Sequence, residues 1–240
     1  MSTENQGDDA EVEVGVSHSD SAVWLTMNRG PGNLLTPPMM RSLRSLLTTA
    51  DEDDDVGAIV LTAAGADFCA GLDAGELRAG GDPIEFATEL VSLLKLFPRL
   101  GKPLLAAVNG DALASGFSLV VASDWAIAVE GSKLGTYESS VGVWSMIAQV
   151  PLLQRLLPRH ALSNIITGIP FTAQRALEIG AINATVPAER LRAAVEEQLP
   201  LLIRSGSHLA RGRRFFYRAL DLSYEQALDE SLDEFVAMVR

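Results

Sequence analysis

The feature that most constrains this chain is a set of three short apolar runs, each leaving into glycine or small polar residues: residues 56–62 (VGAIVLT), 103–108 (PLLAAV) and 125–129 (WAIAV). Runs of that length, apolar at nearly every position and partly β-branched, predict strands buried on both faces. Residues 112–122 read as a helix between the second and third runs. Strand, helix, strand in that order calls for a parallel α/β sheet.

The flanks agree with this frame. The alternating stretches EVEVGVSH and AVWLTM on either side of Ser19-Asp20-Ser21 predict a β-hairpin. Residues 36–50 carry Met39, Met40, Leu43, Leu46 and Leu47 at helical spacing behind Pro37 and Pro38, which suit a helix start. The acidic run Asp51-Glu52-Asp53-Asp54-Asp55 then reads as a solvated loop. From Met146 onward helical patterns dominate, broken at Pro158, Gly168-Ile169-Pro170 and Gly180, with a short strand at 182–186 and a long helix at 187–205. With no internal repeat, the expected organisation is a frayed tail over 1–10, an α/β core over 11–195 and a C-terminal helical region over 196–240.

Composition narrows the classes of function. Hydrophobic residues make up 48% of the 240 and charged residues 21%, enough apolar material for a real core. The single cysteine, Cys69, precludes an internal disulfide framework, and His18, His160 and His208 show no metal-ligand spacing. The polar, acidic start and the lack of an apolar run near ~18 residues lead to the expectation of a cytoplasmic protein with no membrane partner. Acidic side chains outnumber basic ones 31 to 19, for a net charge of -12, which argues against nucleic-acid binding. The basic exception is Arg204, Arg211, Arg213, Arg214 and Arg218. Arg211, Arg214 and Arg218 share one helical face beside Phe215 and Phe216. That face is open to two readings, contact with a small polyanion or plain solvation.

Two segments leave a buried strand and place small residues where the backbone turns: Phe68-Cys69-Ala70-Gly71-Leu72-Asp73 and Asn109-Gly110-Asp111-Ala112-Leu113-Ala114-Ser115-Gly116. Small residues let a backbone approach a ligand closely, and a loop entering a helix N-terminus points free N–H groups outward. Two such turns converging on one carbonyl oxygen form an oxyanion hole, whereas apart they are tight packing.

These segments, with Met27-Asn28-Arg29, Asn33, Asp55, Lys102-Pro103, Ala106-Ala107-Val108, Ser123-Asp124, Gly135, Glu138, Val141-Gly142, Arg155-Leu156, Thr167-Gly168 and Gly180, resemble the enoyl-CoA hydratase/isomerase (crotonase) superfamily over roughly residues 12–205. The resemblance implies the crotonase fold, repeated ββα units forming two sheets surrounded by helices, with C-terminal helices that assemble trimers or hexamers and contact coenzyme A. It implies an acyl-CoA thioester as substrate, coenzyme A arriving as part of that substrate, and no separate cofactor or metal. The backbone N–H groups of Leu72 and Ser115 would hold the thioester oxygen as an enolate forms.

Of the two glutamates used by hydratases of the family, one position falls on Glu138 and the other on Ser118. One carboxylate removes a proton at one carbon and returns it two carbons away, so the pattern favours double-bond isomerisation. Hydration with Ser118 positioning water, and non-catalytic acyl-CoA binding, are the alternatives. Out of context, Glu138 reads as a surface acid and Ser118 as helix packing. By the same resemblance, Ala70, Gly71, Asp73, Gly116, Val141, Gly142, Trp144, Arg211, Arg214 and Phe215 are candidates for substrate contact. Cys69 is expected to pack the turn, since no histidine lies at a spacing that would make it a nucleophile.

Overall fold

The computed structural model describes residues 13–19 and 22–239, so the expected tail over 1–10 lies outside the described residues. The hairpin forms: β1 (Val14–Ser19) pairs antiparallel with β2 (Ala22–Met27). Helix α1 (Pro37–Glu52) starts with prolines in its first turn, where the missing N–H costs nothing, and the Thr36 hydroxyl caps it by accepting from the Met39 N–H. It leads to β3 (Ala58–Ala63).

Two helices that the sequence reading passed over come next, α2 (Ala74–Arg78) and α3 (Pro83–Leu96), each opened by an aspartate N-cap, Asp73 and Asp82. Then come β4 (Leu104–Val108), β5 (Ala112–Leu113), α4 (Ser115–Ala122), β6 (Trp125–Val129) and β7 (Lys133–Gly135). Residues 112 and 113 are therefore strand, not helix. The Leu113 N–H donates to the Cys69 carbonyl and β5 pairs with β7, so neighbours across the turn override local helix propensity.

The chain continues through α5 (Gln149–Arg155), α6 (Pro158–Thr167), β8 (Phe171–Thr172), α7 (Ala173–Glu178), β9 (Ala184–Val186) and α8 (Leu191–Leu202). It closes with α9 (Leu209–Ala219) and α10 (Tyr224–Val239). Six strands form one sheet in the order β1-β2-β3-β4-β6-β9, parallel from β2 onward, and β5-β7-β8 form a second.

Alternation along the large sheet sorts its side chains into two layers. Leu25, Ile59, Leu61, Leu104 and Ala106 face the side covered by α1, α3 and α4, while Trp24, Val60, Leu105 and Ile127 face α8. Val195 and Leu199 of α8 belong to that second layer together, so the expected boundary at 195/196 cuts a helix that is part of the core. Among the described residues no helix is long and apolar enough to cross a membrane.

Charge ties the C-terminal part down. Arg213, almost fully buried, donates to Asp124 (2.7 Å) and to the carbonyls of Leu100 and Phe97. Tyr217 of the same helix donates to the other Asp124 oxygen, and burial, then the Asp124 charge, pushes its hydroxyl up to about 12. The acidic run is not wholly a solvated loop either. Asp51 and Glu52 complete α1, and the Asp51 carboxylate accepts the N–H groups of Gly101 (2.7 Å) and Lys102 (2.9 Å).

Candidate active site

The loop after β3 is shaped from within. Asn33, buried and held at φ 41°, donates its amide to the carbonyls of Ala64 and Asp67 (both 2.9 Å), and its own oxygen accepts the Arg29 N–H. Gly110 lies so close beneath this loop that a Cβ would fall 1.8 Å from the Ala66 carbonyl oxygen. The strand-like segment that follows is fastened on both sides. Phe68 and Cys69 donate to the Asp111 carbonyl, while the Gly71 carbonyl accepts from Leu35 and Asp73 donates to the Leu35 carbonyl.

That fastening brings Gly71 against the start of α4. Gly71 sits at φ 102°, and a Cβ there would lie 2.8 Å from the Ala114 Cβ and 3.6 Å from the Ser115 nitrogen. The two turns therefore converge. Neither Leu72 nor Ser115 donates its N–H to an acceptor among the described residues, as expected for Ser115 at the open N-terminus of α4. The unusual backbone demanded here falls on Ala114 (φ 52°, ψ -125°), so Ser115 enters α4 with its Cβ tolerated. Ala114 is held by donating to the Gly135 carbonyl (2.9 Å), an example of strain stored where a site is built.

Glu138 reaches the same end of the small sheet. Leu113 and Gly135 are register partners on parallel strands, so the chains leading to Ser115 and Glu138 leave the sheet side by side. Asn164, a buried residue that sequence reading missed, fixes this exit: its oxygen accepts the Thr136 N–H and hydroxyl, and its amide donates to the carbonyls of Thr136 and Ile169. A single 3-10 turn, Glu138–Val141, follows and ends at Gly142 in the left-handed conformation. The half-buried Glu138 carboxylate accepts the Tyr137 N–H at 2.9 Å.

The remaining candidates divide. Ser118 is fully buried and its hydroxyl donates to the Ala148 carbonyl (2.9 Å). Ala70 donates its N–H to the Gly32 carbonyl, outside the turn. Two candidates for substrate contact also hold the fold. Asp73 caps α2 by accepting the Glu76 N–H and pairs with Arg29 (2.8 Å); the Glu76 N–H first, then Arg29, hold its carboxyl below the usual carboxylate range. Gly116 makes room for the chain itself, since a Cβ would fall 2.1 Å from the Cys69 carbonyl oxygen.

Val141, Gly142 and Trp144 lie on the exposed side of their segment, the Trp144 indole bonded to Gln149. On the basic face Arg211 and Arg218 pair with Glu234, Arg218 also with Glu230, and Arg214 with Asp51; Phe215 sits under the Arg218 guanidinium. Cys69 is fully buried and desolvation pushes its thiol up to about 12, which suits packing and not nucleophilic attack.

A family model described as enoyl-CoA hydratase/isomerase matches residues 18–238. The chain belongs to this family. It is 34% identical over 194 residues to the enoyl-CoA hydratase EchA19 of Mycobacterium tuberculosis, covering 78% of this chain and 71% of that protein. Over 227 residues it is 30% identical to the hydroxycinnamoyl-CoA hydratase-lyase of Pseudomonas fluorescens, covering 90% and 82%. A solved enoyl-CoA hydratase of Mycobacterium smegmatis superposes with a TM-score of 0.89 at 27% identity, over 95% of this chain and 91% of that one. The crotonase fold expected from the sequence is the fold observed.

Proposed function

We propose that this member of the enoyl-CoA hydratase/isomerase family acts on an acyl-CoA thioester and shifts its double bond. The Leu72 and Ser115 N–H groups receive the thioester oxygen as negative charge develops, each well-aimed donor contributing about 3 kcal/mol to the transition state. The Glu138 carboxylate takes a proton from the α-carbon of a 3-enoyl thioester, the electron pair delocalises into a dienolate, and the same proton returns to the γ-carbon, leaving the conjugated 2-enoyl product. Coenzyme A comes with the substrate and no separate cofactor enters this reading.

The observation that carries the reading is residue 118. The place of a second carboxylate is taken by a buried serine whose proton is donated to the Ala148 carbonyl, so Glu138 is the acid and base on which the reading relies. Hydration is the second reading, favoured by the hydratase names of the relatives. Following 3-enoyl-CoA in water by product analysis separates the two. Isomerisation predicts conjugated 2-enoyl-CoA with little 3-hydroxyacyl-CoA, and Ser118→Glu raises the hydrated fraction. Predominant hydration by the wild-type chain contradicts isomerisation.

Assembly belongs to the same proposal. Leu228, Leu232 and Phe235 form an exposed apolar stripe on α10, which fits a further copy of this chain in a trimer or hexamer.

A further inference from the structure

We infer that Asn164, in the last turn of α6, is a positioning residue for Glu138: it sets where the carboxylate stands relative to the Leu72 and Ser115 N–H groups. The inference rests on the thioester reading above and deepens it by naming what holds the base.

The need for such a residue follows from the element that carries Glu138. The 3-10 turn Glu138–Val141 buries none of its residues, so apolar packing does not hold it. Its internal bonds run from Ser140 to the Tyr137 carbonyl, from Gly142 to that of Ser139 and from Val143 to that of Glu138. They shape the turn without placing it in the molecule. Strand β7 ends at Gly135, which leaves Thr136 and Tyr137 between the sheet and the carboxylate.

The end of α6 supplies the missing ties. The Asn164 oxygen accepts the Thr136 N–H and hydroxyl, both at 2.9 Å, and its amide donates to the carbonyls of Thr136 (3.0 Å) and Ile169 (2.8 Å). Both lone pairs and both N–H groups of the amide are thereby used, so it fits in one orientation only, and Thr136 is gripped at all of its polar groups. The Ser139 hydroxyl donates to the carbonyl of Ile165, the next residue of α6. Gly168, the left-handed residue that ends α6, lies against the turn, and a Cβ there would fall 2.6 Å from the Ser140 nitrogen and 3.0 Å from the Tyr137 carbonyl oxygen. The chain is thus fastened to one helix end both before and after Glu138. An apolar side chain at 164 would fill the space and leave the Thr136 N–H and carbonyl without these partners. Displacing a catalytic group by about 1 Å costs on the order of a hundredfold in rate.

Exchange of the α-proton of a 3-enoyl-CoA, followed by mass in deuterated water with the full chain, tests this. Asn164→Ala is expected to slow exchange at saturation by roughly ten- to a hundredfold with KM within about twofold of wild type, because the groups that meet the thioester are untouched. Ser139→Ala, a milder change at a half-buried position, is expected to slow it by about threefold or more, and Ser139→Thr, which keeps the hydroxyl, to restore it. In a Glu138→Gln background Asn164→Ala is expected to slow exchange by less than about twofold further, since a positioning residue acts only through the group it positions. An equal loss in both backgrounds, a raised KM at an unchanged rate, or wild-type rates in Asn164→Ala overturns the inference. Should Asn164→Ala fail to fold, the Ser139 pair decides, and a Ser139→Ala rate equal to wild type overturns it. Exchange that the wild type performs and the variants leave intact removes this inference alone, whereas a wild type without exchange removes the catalytic reading and this inference with it.

Discussion

At the scale of single residues, what the sequence could reveal was where the backbone must turn, and what it concealed was why. Gly71, Ala114 and Ser115 were legible because a close approach of two chains demands small residues at fixed places. Gly116 and Asp73 also serve the fold, one by making room for the Cys69 carbonyl and the other by capping α2, and neither role is visible in sequence. Buried amides such as Asn33 and Asn164 left no periodic signal at all. Two substitutions separate these kinds of residue. Gly116→Ala, whose methyl would collide with the Cys69 backbone, is expected to cost several kcal/mol in urea denaturation, on the order of the larger overpacking penalties. Ser145→Ala is expected to leave stability unchanged or raise it by up to about 1 kcal/mol, because the buried Ser145 hydroxyl has no hydrogen-bond partner among the described residues. A large loss from Ser145→Ala would show that its hydroxyl does bond.

At the scale of elements, buried strands were readable because three of them are apolar at almost every position, and α1 because its caps and period agree. Strands β5, β7 and β8 are two or three residues long and exist only through their partners, so no local pattern announces them. Helix α2 was announced only by its aspartate cap, whereas α3 also carries Phe86, Leu90 and Leu93 at helical spacing behind Pro83. The cap of α2 has a pH signature. The Asp73 carboxyl is held below its ordinary value in the folded chain by the Glu76 N–H and by Arg29, so its stabilising contribution is complete above the unfolded value near 3.9 and is lost as pH falls through the folded one. The stability difference between wild type and Asp73→Asn, measured by urea denaturation, is expected to be constant above about pH 5 and to shrink below pH 4. Parallel curves down to pH 2 would show that the carboxylate is unperturbed.

At the scale of the whole molecule, the basic cluster was the least legible feature, because its acidic partners lie on other elements, Asp51 on α1, Asp124 just before β6, and Glu230 and Glu234 on α10. Exposed pairs such as Arg211 with Glu234 add little each, and α10 buries none of its side chains in a single copy. Its apolar stripe therefore predicts a partner: Leu232→Glu with Phe235→Glu is expected to lower the mass measured by sedimentation to that of one chain, and an unchanged mass would assign assembly to another face.

The central claim is that Leu72, Ser115 and Glu138 together generate a thioester enolate, and it is tested most directly by α-proton exchange. An acyl-CoA incubated in deuterated water with the wild-type chain is expected to gain mass at the α-carbon, with Glu138→Gln slowing that gain by about a hundredfold or more while affinity for the thioester stays nearly the same. Exchange in Glu138→Gln within threefold of wild type would contradict the account.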